Sequence, residues 1–404
     1  MAGNSWLAVS QINMASRFHH PALKAIAPWE AQNDSYRDMA ARGGIIGVGF
    51  FGDGFASFFA GNGSIENSTD MPPKRPLFDD YWADKAIDVE KISIPMYLTA
   101  SFSTGLHSRG SFDTFVKAKS VDKWLRVHPY QEWSDLYRPE VNDDLQKFFD
   151  CYVKGEANGW DNTPRLRLSL LGFNDSEVAT IVERPEKSWP LPDVEQRTYF
   201  LDAASRTMSL SAPSGDAATS YQSHHLTDCA DFTVRFDAYT ELAGYPVARL
   251  FMSYEEGPEM DVQVQIRKIS KEGKLLVHSN YQCPIPEAEV PNTNIAKFLG
   301  PDGKLRASHH VSKVMHGNIP WYAHDKIQAV RHGEIVRLDI PLWPIGMVFA
   351  AGEGIALRVA GHDLRLPEME MLTLKEPVDA NQGLHHIHTG KTHASQLILP
   401  VVSR

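Results

Sequence analysis

The first residues able to do covalent chemistry stand at the head of the chain. Ser5 follows Gly3 by two places, and an apolar, helix-patterned run follows it (Trp6, Leu7, Val9, Ile12, Met14). That is the layout of a nucleophile elbow: a strand, a tight turn with the serine at its apex, and a helix whose first N–H groups face a developing oxyanion. The Trp6 N–H would be one such donor. The full pattern is G-x-S-x-G, and Leu7 stands where the second glycine would be. Taken alone, Gly3-Asn4-Ser5 reads more often as a capped helix start. A serine hydroxyl also needs a base within hydrogen-bond reach. His128 is the leading candidate, since it follows the apolar run 123–127. His107, in the setting Leu106-His107-Ser108-Arg109, is the reserve. Glu132 and Asp135 could orient the imidazole, although residues so soon after His128 suit surface charges or caps.

Other clusters invite chemistry and do not carry it. His385-His386-Ile387-His388 with His393 lacks the helical spacing of zinc ligands and has no local Cys or carboxylate, and His309-His310 is read the same way. Gly52-Asp53-Gly54, with Gly61 and Gly63, is not followed by the Gly-Lys-Ser/Thr of a phosphate loop. The expectation is therefore no metal and no cofactor.

The elements that must position these residues alternate over the first part of the chain. Apolar runs at 23–28, 94–100 and 123–127 read as buried parallel strands, and helical patterns at 34–42, 111–119 and 142–153 separate or follow them. Chemistry in such sheets gathers at the carboxyl ends of the strands, where Ser103, Thr104 and His128 fall. Segment 30–92 reads as a helical cap, with Phe50, Phe51, Phe55, Phe58 and Phe59 able to line an apolar pocket or simply to pack. After about residue 160 the pattern becomes short strands punctuated by Gly and Pro, the mark of a jelly-roll sandwich. The expected division is 1–160 for an α/β domain and 161–404 for a β-sandwich.

Composition narrows the partners. A net charge of −10 with no Lys/Arg block argues against nucleic acid and anionic membrane surfaces. Three dispersed cysteines, Cys151, Cys229 and Cys283, favour a reducing, cytoplasmic setting over a disulfide framework. No apolar run is long enough to span a bilayer, and no signal-peptide layout precedes the elbow.

Several stretches in order resemble the CocE/NonD serine hydrolases, the group of cocaine esterase and X-prolyl dipeptidyl-peptidase. They are Gly3-Asn4-Ser5-Trp6-Leu7, Ala27-Pro28-Trp29-Glu30, Asp34-Ser35-Tyr36-Arg37, Asp80-Tyr81-Trp82, Gly105 to Gly110, and Trp124 to Trp133. In the sandwich they are Gly303 to Ser308, Trp343 to Gly352 and Ser395 to Pro400. The resemblance implies an α/β-hydrolase with a helical cap and a jelly-roll domain, with Ser5 as nucleophile. The fold's Ser…Asp…His order points to His128 as base. Two departures stand out. The family's hydrolase domain has strands before the elbow, whereas this chain starts on it, so an N-terminally shortened sheet is expected. The loop 101–105, where the family places its aspartate, holds no carboxylate.

The reading is a serine hydrolase acting on a small-molecule ester or peptide-like amide through an acyl-Ser5 intermediate. Loss of the acid would slow such an enzyme by roughly 10⁴-fold. The alternative is a non-catalytic pseudo-hydrolase that binds a ligand or partner, with a carbohydrate-binding sandwich as a third reading. Self-association into a homo-oligomer stays open.

Overall fold

Parallel pairing of short, almost wholly apolar strands builds the first layer. The computed structural model describes residues 1–47, 66, 68–281 and 285–403. Strands β1 (Ala2–Asn4), β2 (Ala27–Trp29), β3 (Met96–Ala100), β4 (Lys123–Val127), β5 (Leu166–Leu170) and β6 (Ile181–Glu186) form one sheet in sequence order. Neighbours run parallel as far as β5, and β6 returns antiparallel. Residues of β3 are buried without exception, with Ile12 and Phe112 in the core on one side and Phe148 and Trp160 in the cluster on the other.

Helix α1 (Trp6–Arg17) follows β1 directly and buries Ala8, Ile12 and Ala15 at helical spacing. Helix α2 (Ser108–Lys117) follows β3, α3 (Glu132–Leu136) follows β4, and α4 (Pro139–Phe149) starts on a proline at its first turn. Gly110 sets how closely α2 docks. A Cβ there would meet the Ala31 carbonyl oxygen at 2.5 Å and Gln32 Cα at 2.6 Å. Between β2 and β3 the described chain is a series of short helical turns, and the continuous helix expected at 34–42 is a π-turn at Tyr36–Ala40. Ion pairs Arg37–Asp34 and Arg109–Asp38 sit at that turn. The phenylalanines expected to line the cap, the glycines of 52–63 and Cys283 lie outside the described residues.

The second layer is a large antiparallel assembly with strands at Val194–Asp202, Ala230–Arg235, Val247–Glu256, Asp261–Ile269, Val336–Pro341, Gly354–Ala360 and Gln396–Val402, among others. Segment 166–186, assigned to the sandwich from its alternating pattern, hydrogen-bonds to β4 and completes the first sheet. Its period of two is a property of a strand, and does not say which sheet the strand joins. Leu171 then bridges to Met347, tying the first sheet to the sandwich. Cys151 and Cys229 are free and half-buried. No helix among the described residues is long and apolar enough to cross a membrane.

The histidines flagged as metal candidates serve the sandwich. His385, His386 and His388 lie on the strand Gln382–Thr389 and bond Tyr221, Ser220 and Ser253 respectively. His309 Nδ1 meets His324 Nδ1 at 2.8 Å, so one ring must donate and the other accept.

Two predictions follow from this packing. Burial pushes His278 and His309 down to about 4 and His385 to about 3, so the folded chain keeps them neutral where the unfolded chain would protonate them. Their folded pKa values lie below the unfolded value near 6.5. Stability is therefore full above that pH and falls as pH drops from about 6.5 toward 4. Each histidine contributes a slope of up to about 1.4 kcal/mol per pH unit; urea midpoints measured across that window should fall accordingly. Gly110→Ala should cost about 1–3 kcal/mol by overpacking α2 against backbone, read as a lower thermal midpoint.

Candidate active site

Ser5 sits at the junction of β1 and α1 with φ 55° and ψ −118°, a conformation that L-residues avoid. Its N–H donates to the Trp29 carbonyl at 3.1 Å, and its own carbonyl accepts from Ala8 and Val9. The turn is tight because Gly3 lacks a side chain; a Cβ there would lie 2.6 Å from Leu7 Cβ. Leu7 itself projects outward, 64% exposed, so the missing second glycine of the motif does not obstruct the elbow. Trp6 is the first residue of α1, which brings the positive end of the helix to the serine.

The imidazole facing Ser5 is His107. Ser5 Oγ lies 3.3 Å from His107 Nε2, and His107 Nδ1 faces Glu132 Oε2 at 3.1 Å. His107 comes from the loop after β3. Thr104 N–H donates to Ser101 Oγ, and Ser108 Oγ donates to the Ser101 and Thr104 carbonyls, so the loop is locked by its own hydroxyls. Glu132 opens α3, whose start is capped by Gln131 Oε1 accepting from Trp133 N–H at 2.7 Å. Both side chains are buried. Burial opposes the charged form of His107, but the carboxylates of Glu132, Glu30 and Asp38 outweigh it and raise its pKa. Burial raises Glu132 as well, against the pull of His107.

His128, the expected base, is not brought to Ser5. Its Nε2 lies 2.8 Å from Glu30 Oε1 and 3.8 Å from Asp135 Oδ2, deep under the strand ends. Asp135 is held in turn by Arg126 through two contacts of 2.6 and 2.7 Å, and Arg126 also reaches Glu183. Burial works against the His128 charge, and Asp135 with Glu30 reverses that effect and raises its pKa. The backbone sends the residue directly after β4 inward, where its N–H donates to the Ala100 carbonyl. Four residues later the chain returns to the serine with a carboxylate. Glu132 and Asp135, expected as surface charges or caps, are buried ion-pair partners.

The sequence offered one signal for this arrangement. The loop after β3 holds a histidine where an acid was expected, and the segment after β4 holds an acid four residues past a histidine. Glu30 gave none beyond its place next to Trp29. It is wholly buried and held at φ 54°.

A cavity of about 250 Å³ opens on Ser5. Trp6, Val9, Met39, Leu106, Ile295 and Met369 give it an apolar wall, and Glu132 and Glu368 are the acidic residues lining it. The sandwich helps to shape it. Arg365 donates to the Gly105 carbonyl, Phe102 packs where a side chain at position 346 would be, and the Gln131 N–H donates to the Asn280 carbonyl.

The sequence profile of the X-Pro dipeptidyl-peptidase C-terminal non-catalytic domain matches residues 158–398. The chain is 32% identical to a CocE/NonD family hydrolase from Staphylococcus aureus of known structure, with a TM-score of 0.89 over 99% of this chain and 71% of that one. An aminopeptidase from a marine sediment archaeon shares the fold at a TM-score of 0.70 and 14% identity, covering 100% of this chain and 76% of its own. Cocaine esterase from Rhodococcus is 22% identical over 353 residues, which are 78% of this chain and 57% of the esterase. The chain thus spans just over half the length of the curated relatives it matches. With a domain profile over more than half of its residues and a relative this similar along nearly its whole length, the chain belongs to the CocE/NonD hydrolase family.

Proposed function

We propose that the chain carries a serine hydrolase site in which Ser5 is the nucleophile, His107 the base and Glu132 the acid, acting on an ester or peptide-like amide. The observation that carries this reading is the contiguous line from Ser5 Oγ through His107 to Glu132, with the serine on a left-handed turn at a helix start. His107 Nε2 takes the proton of the Ser5 hydroxyl as Oγ attacks the substrate carbonyl. Glu132 stabilises the resulting imidazolium, and the backbone N–H of Trp6, with the start of α1, faces the oxyanion. His107 then protonates the leaving group, and water repeats the sequence in reverse on the acyl-Ser5 intermediate. The separations of 3.3 and 3.1 Å are those of a resting site, which tightens around bound substrate.

The family's order along the chain is serine, acid, histidine. Here it would be serine, histidine, acid, with the two strand ends exchanging their roles. Both orders satisfy the chemistry, since a triad is defined by geometry and not by sequence position. The apolar wall and small volume of the cavity suit a compact, uncharged acyl group.

Labelling with a fluorophosphonate probe tests the nucleophile: it should modify the chain, and Ser5→Ala should abolish it. Labelling that survives Ser5→Ala overturns the reading, and no labelling at all favours a non-catalytic binding protein. The assignment of the base has its own test. His107→Gln should slow labelling by roughly 10³-fold or more, as removal of a triad member does. His128→Gln should lower the thermal midpoint and leave labelling of the folded protein within about tenfold of the parent, because it sits one shell away from the serine. The reverse ranking would return the base to His128.

A further inference from the structure

Glu30 is the group this mechanism leaves over. It follows β2 directly, is fully buried, and holds a backbone conformation unusual for any residue but glycine. Neither of its oxygens has an aligned hydrogen-bond partner among the described residues, although Oε1 lies close to His128. Glu132 Oε2 and His107 Nδ1 are in the same position, near each other but not lined up. Each of Glu30, His107 and Glu132 offers one ligand atom, and these atoms all lie within 4.8 Å of one another. An ion about 2.0–2.2 Å from each donor would separate such donors by roughly 3–4 Å, so small side-chain rotations close the gap. Two carboxylates and a neutral imidazole also match the charge of a divalent ion.

We propose that Glu30, His107 and Glu132 bind one divalent ion of the zinc class, and that the bound ion holds the hydrolase idle. The mixed nitrogen and oxygen donor set selects zinc, cobalt or manganese over calcium, which asks for six or more oxygens. His107 Nδ1 is the ligand atom, because Nε2 is turned toward Ser5 Oγ. An ion on Nδ1 displaces the direct Glu132 contact and takes the lone pair of the neutral ring, which then carries its proton on Nε2, so Nε2 cannot accept the serine proton. His107 and Glu132 line the cavity, and because the ligand atoms themselves are buried, the ion would enter from there as those side chains rotate. The strand histidines His385, His386 and His388 do not compete as a built site, since each is engaged by a hydroxyl across the sheet.

The effect on Ser5 rests on His107 being the base; ion binding does not. Isothermal titration of the full chain with zinc chloride tests the binding, with fluorophosphonate labelling run in parallel. One zinc per chain should bind, and Glu30→Gln should weaken it at least tenfold. Glu30→Asp, which keeps the charge but shortens the reach, should also weaken it, and thermal melts confirm that each variant is folded. Ser5→Ala should bind zinc like the parent, so the titration stands even if the serine reading fails. Saturating zinc should slow labelling of the parent at least tenfold, and a chelator should restore it. No saturable binding, or binding indifferent to both Glu30 variants, overturns the site. Binding that leaves labelling untouched overturns the idling.

Discussion

The site depends on holding one serine in a backbone conformation that costs about 1–3 kcal/mol. The chain meets that cost locally. Parallel pairing of β1 with β2 anchors the residues before Ser5, and the Trp29 carbonyl takes the Ser5 N–H. Helix α1 then starts at once and buries its apolar stripe. Glycine at position 3 is the concession that allows all this, since the next helical turn passes where its side chain would be. With the serine fixed at the carboxyl end of β1, parallel order brings the segments after β2, β3 and β4 to the same edge. Glu30, His107 and Glu132 come from those three segments.

Those loops are not held by the first sheet alone. Sandwich residues donate to, or accept from, the backbone of both site loops, through Arg365 at Gly105 and Asn280 at Gln131. His278 Nε2–H donates to the Pro129 carbonyl from the same side. A domain whose family description is non-catalytic therefore contributes to the positions of His107 and Glu132. Buried charges reinforce the arrangement. Arg126, on β4 beneath the site, pairs with both Asp135 and Glu183, so removing the arginine would take the counter-charge from two carboxylates, one of them fully buried.

Much of this was legible in the sequence, and the limits of that reading have physical causes. The elbow, strands β3 and β4, α2 and the run of sandwich strands follow from hydrophobic period and turn residues, which are local properties. Ser5 was readable because a Gly-x-Ser turn ahead of an apolar helix is itself local. The partner of Ser5 was not. Choosing between His107 and His128 requires knowing which side chain turns outward at a strand end, and that depends on contacts such as the His128 N–H to the Ala100 carbonyl. Segment 166–186 was placed in the wrong sheet for a similar reason, since alternation marks a strand and not its neighbours. At 34–42 the expected helix takes the form of a π-turn at 36–40, and of its neighbouring ion pairs to Asp34 and Asp38 the second, with Arg109, joins residues that no helical period connects.

The return strand β6 gives the architecture a practical edge. The profile of the C-terminal domain begins at residue 158, yet β5 and β6 complete the sheet that carries Ser5. Dissecting the polypeptide at the profile boundary would strip two strands from the N-terminal fragment, uncover the backbone of β4 and remove the Glu183 counter-ion of Arg126. The recombinant fragment would be left with an open, sticky margin. The severable joint lies instead between Glu186 and Val194, where the chain passes from one hydrogen-bonded ladder to the other.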